Sequence, residues 1–106
     1  MSKKFDFRFL PSAFQDIEEV FDYITLKLCN QKAANDLMDK LDETIDNIRL
    51  FPKSFPFHED SELKNNLVRK VPIDNYILFY KFDEKQELIK ILYFKYGGSN
   101  LAELNV

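Results

Sequence analysis

The chain opens on strict alternation. In "KFDFRFL" (residues 4–10), Phe5, Phe7 and Phe9 alternate with Asp6 and Arg8, the period of two expected of a strand with one apolar face. Pro11 stops it. The spacing then lengthens: Phe14, Ile17, Val20, Phe21, Ile24 and Leu28 recur at helical intervals, which predicts an amphipathic helix opening at Ser12. Ser12 and Gln15 form an S-x-x-Q capping box, which satisfies the free N–H groups of a first helical turn. Asp16, Glu18 and Glu19 suit the positive end of its dipole. "CNQ" (residues 29–31) breaks the pattern, and Asn30 is placed to cap a second helix carrying Ala34, Leu37, Met38, Leu41, Ile45 and Ile48. The connection is short, so the two helices are expected to lie antiparallel, with Leu37, Leu41, Ile45 and Ile48 facing a sheet.

Phe51-Pro52 ends the second helix, and residues 52–66, with two prolines and no period, read as a loop. Three strands are expected next, over residues 67–71, 76–82 and 88–94. The turns between them fall at 72–75 and at "DEKQE". The strands are nearly continuous in Ile, Tyr and Phe, as a sheet covered on one face and partly on the other requires. Gly97-Gly98 ends the last strand, and "SNLAEL" is expected to form a closing turn. The expectation is a single α+β domain over residues 1–106, ordered β-α-α-β-β-β, with an antiparallel-type sheet and a helical hairpin packed on it.

Composition fits such a domain. Hydrophobic residues are 45% of the 106, eleven of them Phe, enough for a core without disulfides. Cys29 is the single cysteine, which fits a reducing compartment. The N-terminus carries no apolar signal region and no run approaches membrane-spanning length, so a cytoplasmic location and no membrane partner are expected. The net charge of −3, from 15 basic and 18 acidic residues, opposes direct nucleic-acid binding. The charge is uneven: residues 1–66 carry nine Lys/Arg against thirteen Asp/Glu, and residues 67–96 carry six against four.

Several features together carry a family resemblance that covers nearly the whole chain. They are the early helical hairpin, "FP" at 51–52, Arg69 opening the sheet, "YILFY" at 76–80 and "ILYFKYGGSN" at 91–100. In this order the chain resembles toxins of the RelE/ParE superfamily, the toxic partners in bacterial type II toxin–antitoxin pairs. The resemblance implies growth inhibition, a role in plasmid stabilisation and a cognate antitoxin that neutralises the toxin. It implies contact with DNA only through that antitoxin. One branch cuts messenger RNA at the ribosome by attack of a ribose 2′-hydroxyl on the adjacent phosphate. The ParE-like branch inhibits DNA gyrase by protein contact.

Cutting RNA requires proton transfer and cations against the phosphorane charge. The resembling RNA-cutting strand motif places an arginine where this chain has Ile77, and Ser99 stands where another arginine is expected. These departures favour the ParE-like, non-enzymatic branch. The alternative is a metal-independent endoribonuclease whose catalytic candidates are Arg69, Tyr96, Lys95 and His58. Arg69 offers a cation for phosphate or an acidic partner. Tyr96 could give a proton or stack on a base, beside Lys95. His58 sits among Glu59, Asp60 and Glu62, an acid–base grouping without convincing metal-ligand spacing. No metal and no cofactor is expected. A third reading is a toxin without activity that serves only as an antitoxin-binding, repressor-assisting subunit.

Overall fold

The structure, a computed structural model, describes residues 3–59 and 67–97. Strand β1 (Asp6–Phe9) leads into helix α1 (Pro11–Asp22), which widens into a π-helical turn (Tyr23–Lys27). Helix α2 (Gln31–Leu50) follows, and then come β2 (Arg69–Ile73), β3 (Tyr76–Asp83) and β4 (Leu88–Tyr96). The four strands form one sheet in the order β1-β4-β3-β2. Strands β2, β3 and β4 are antiparallel neighbours, as expected, but β1 lies parallel to β4, with Asp6 opposite Leu88 and Phe9 opposite Ile91. The fold is therefore the expected α+β arrangement on a mixed sheet. Alternation specifies which face a strand buries and says nothing of its direction. The expected closing turn lies outside the described residues.

Helix α2 forms as its pattern predicts. The Asn30 side chain accepts from the Ala33 N–H at 3.0 Å, and Ala34, Leu37, Leu41, Ile45 and Ile48 are all buried against the sheet. Its last turn holds Arg49, where a cation suits the dipole. The Arg49 Nε donates to the Phe5 carbonyl at 2.8 Å, and the Phe5 N–H donates back to the Arg49 carbonyl at 3.0 Å. This reciprocal pair fastens the start of β1 to the end of α2.

Helix α1 departs from its pattern. It begins one residue early, with Pro11 in the first turn, where a missing N–H costs nothing. Ser12 makes no cap, because its hydroxyl donates to the Leu92 carbonyl at 2.7 Å, and Gln15 instead bonds Glu19. Phe14 and Leu28, expected on the buried stripe, are exposed. At Leu28 the reason is the π turn, whose wider winding rotates later residues off the α-helical stripe; the Leu28 N–H reaches back to the Tyr23 carbonyl at 3.1 Å.

The opposite face of the sheet carries a smaller core of Val68, Phe79 and Leu92 with Leu10, Ile77 and Tyr93 packed around it. A bulge where β3 and β4 shift register near Phe79/Tyr80 leaves Leu92 without an opposite residue. Strand β2 runs through Pro72 to Ile73, further than expected, so the hairpin turn shrinks to Asp74-Asn75 with Asp74 at φ 54°. Proline is tolerated there because β2 is an edge strand. Gly97 donates to the Asn75 carbonyl at 2.7 Å, so close that an added Cβ would sit 3.2 Å from that oxygen.

Candidate functional site

Strand β1 covers β4 only as far as Ile91, where the Leu10 N–H donates to the Ile91 carbonyl at 2.9 Å. Beyond Pro11 the chain is helical, and helix side chains continue the ladder. The Ser12 hydroxyl bonds the Leu92 carbonyl, and the Phe94 N–H donates to Asp16 Oδ2 at 3.1 Å. The spacing allows this: four helical residues rise about 6 Å, close to the ~6.7 Å spanned by two strand residues. Asp16 is 8% exposed, and its other oxygen, Oδ1, accepts from the Lys95 ammonium at 2.9 Å.

Beside this seam, between α1 and the ends of β3 and β4, lies a groove of about 470 Å³. Asp16 and Lys95 line it with Glu19, Tyr23, Tyr76 and Tyr96. The aromatic rings are mutually braced. Tyr76 stacks on Phe94 with centroids 5.1 Å apart and meets Tyr96 edge to face at 5.9 Å. Burial raises the Tyr76 phenol above its ordinary range, and the Tyr23 and Tyr96 hydroxyls nearby raise it further. Tyr23 is the first residue of the π turn, so the wide winding begins where its ring enters the groove.

The four residues singled out from the sequence do not form one site. Lys95 and Tyr96 lie at the groove, Lys95 bonded to Asp16 and Tyr96 at 56% exposure. Arg69 pairs with Tyr80 across the β2–β3 ladder, while Tyr76 pairs with Tyr96 across β3–β4. That register separates Arg69 from Tyr96 by about 13 Å along the strands and two strand spacings, about 9–10 Å, across the sheet. The Arg69 guanidinium donates to the Phe55 carbonyl at 2.6 Å and the Lys53 carbonyl at 3.2 Å, and stacks 4.0 Å from the Phe57 ring. It holds the segment after α2 against the sheet. Tyr80 assists, its buried hydroxyl donating to the Pro52 carbonyl at 2.7 Å.

His58 is buried near Val68 and Phe79. Its N–H donates to the Val68 carbonyl at 2.8 Å, and its ring meets Phe79 edge to face at 5.3 Å. Phe79 and Val68 belong to the core on the face away from the helices, whereas Tyr76 and Tyr80 pack with the helical core. Ile77 is half-buried in the same minor core. Of the acids beside His58 in sequence, Glu59 is exposed, and Asp60 and Glu62 lie outside the described residues, as does Ser99.

Four of the groove residues named above, Asp16, Glu19, Tyr23 and Tyr76, have no place among the sequence candidates. Asp16 carried a usable signal: it lies three residues after Ala13 and four before Val20, on the stripe that packs inward. A carboxylate there must find donors, and it finds the Phe94 N–H and the Lys95 ammonium.

A two-helix hairpin on a mixed four-stranded sheet, with a tyrosine-lined groove at one end, defines a small α+β protein with the RelE/ParE-like fold. A family model described as "ParE toxin of type II toxin-antitoxin system, parDE" matches residues 7–100, and the chain belongs to this family. Ten chains of solved structures match it. One, from the chromosomal ParDE toxin–antitoxin system of P. aeruginosa, aligns with a TM-score of 0.66 at 14% identity. The alignment covers 88% of this chain and 96% of that one, and at this identity it shows a shared fold. No curated protein sequence matches. Among the described residues, no helix is long and apolar enough to cross a membrane.

Proposed function

We propose that this chain is the toxin of a ParDE-type pair, neutralised by a cognate antitoxin, and that it acts by binding a protein target, DNA gyrase, rather than by cutting RNA. The observation that carries the reading is the separation of the two candidate cations, each with a partner of its own. Arg69 turns one guanidinium nitrogen, Nη1, to the Phe55 and Lys53 carbonyls, and Lys95 is neutralised by Asp16. Phosphoryl-transfer chemistry needs positive charge directed at one developing phosphorane. Here the two cations sit far apart, and Ile77 offers none. The endoribonuclease reading keeps only Tyr96 and a paired Lys95 at the groove.

Inducible expression without the antitoxin tests this, with DNA synthesis, protein synthesis and message integrity followed separately. DNA synthesis falls first, and primer extension on translated messages shows no new ends. New ends appearing before DNA synthesis falls would refute the protein-contact reading. Harmless expression of folded protein would instead support the inactive, repressor-assisting role.

A further inference from the structure

We infer that the groove between α1 and β4 is a cage for one basic side chain, an arginine or lysine presented by a protein partner. On the reading above that partner is the antitoxin, and the inference rests on that reading. The groove wall is aromatic and electron-rich, with Tyr23 at 53% exposure, Tyr96 half-exposed and Tyr76 between them. Tyr76 has one face against Phe94, so the rings are braced before anything binds. A cation over such faces gains from the ring quadrupole, more as it is desolvated.

Charge selects the same guest. Lys95 and Asp16 cancel at 2.9 Å, and the Lys95 ammonium sits 5.6 Å from the Tyr93 ring, which is not part of the groove lining. Glu19 is then the groove's uncompensated charge, held by the Gln15 amide at 3.0 Å. An anionic guest would meet Glu19 and a lysine already paired. A neutral apolar guest would leave the Glu19 carboxylate without a counter-charge. A guanidinium or ammonium meets three rings and one carboxylate, and its alkyl stem packs on Val20. Tyr23 closes α1 with its N–H on the Glu19 carbonyl, and the π turn begins at this residue; such turns recur at functional sites.

Two peptides test the assignment on the intact chain: acetyl-Ala-Ala-Arg-Ala-Ala-amide, and the same peptide with neutral citrulline in place of arginine. Ring signals of Tyr23, Tyr76 and Tyr96 are followed by NMR during titration. The arginine peptide shifts all three, and the citrulline peptide binds at least about threefold more weakly. Tyr96→Leu, at a half-exposed position that spares the core, weakens the arginine peptide by about three- to thirtyfold. Glu19→Gln, an exposed change, narrows the preference for arginine over citrulline. Circular dichroism confirms that both variants keep the fold. Equal binding of the two peptides, shifts that map away from the groove, or no shift at tens of millimolar peptide overturns the inference. The titration contains no gyrase and the supercoiling assay no peptide, so the cage and the proposed target fail independently.

Discussion

Asp16 accepts hydrogen bonds from two consecutive residues of β4: the Phe94 N–H at 3.1 Å and the Lys95 ammonium at 2.9 Å. Through this carboxylate a helix takes the place of a strand along the open edge of β4. The same side chain lines the tyrosine groove, so a contact that ties helix to sheet also borders the cage inferred above.

Asp16→Ala leaves the Phe94 N–H without its acceptor and Lys95 without its counter-charge. Hydrogen bonds to charged groups are worth about 1.5–3 kcal/mol, and the loss of Asp16 is expected to cost about that much. Urea unfolding measures it. Asp16→Asn keeps an acceptor for Phe94 and costs less. Hydrogen exchange at the Phe94 amide accelerates in the alanine variant more than at Ile89, which is bonded within the sheet. Equal stability of Asp16→Ala and the parent would remove the ladder role.

Arg69→Ala is expected to destabilise by about 1–3 kcal/mol, because the Phe55 and Lys53 carbonyls lose their donor and Phe57 its cation. Arg69→Lys restores less than half of this, since an ammonium lacks the planar fork that bonds and stacks at once. Toxicity at a temperature where the variant is folded stays within about threefold of the parent. A loss of about 10²–10³ in folded protein, the usual cost of a positioned catalytic donor, would restore Arg69 to an active-site role.

Two tyrosines titrate late. Burial raises the phenols of both Tyr76 and Tyr80, with the Arg69 charge pulling Tyr80 partly back. An unfolded tyrosine ionises near pH 10, while these keep their protons to higher pH in the folded state. Their contribution to stability is therefore complete below pH 10 and is lost as pH rises through their folded values. Ultraviolet titration of the phenolates should show part of the amplitude delayed in buffer and a single transition near pH 10 in urea. Tyr80→Phe removes part of the delayed amplitude and costs about 1 kcal/mol from the lost bond to Pro52.

What could be read from the sequence was local. The stripe from Ala34 to Ile48 named the buried face of α2, because an uninterrupted helix repeats its own geometry. The strands of the C-terminal half were placed within a few residues, and the two-sided burial of β3 was legible in its unbroken apolar run. The misreadings share one cause, a distant partner. Ser12 looked like a cap until β4 claimed its hydroxyl at Leu92, eighty residues away. Asp16 looked like a dipole partner until Phe94 and Lys95 claimed its carboxylate. The contacts of Arg69 with the Phe55 and Lys53 carbonyls and of His58 with the Phe79 ring are equally invisible in a string of letters. The π turn leaves no periodic trace in five residues, yet it moves Leu28 off the stripe.

The most direct measurement is supercoiling of relaxed plasmid by purified gyrase, titrated with this chain and, in parallel, with a folded control. Dose-dependent loss of supercoiling is expected, with Arg69→Lys inhibiting as the parent does. Full gyrase activity at large molar excess of folded protein, together with new message ends on translating ribosomes, would contradict it.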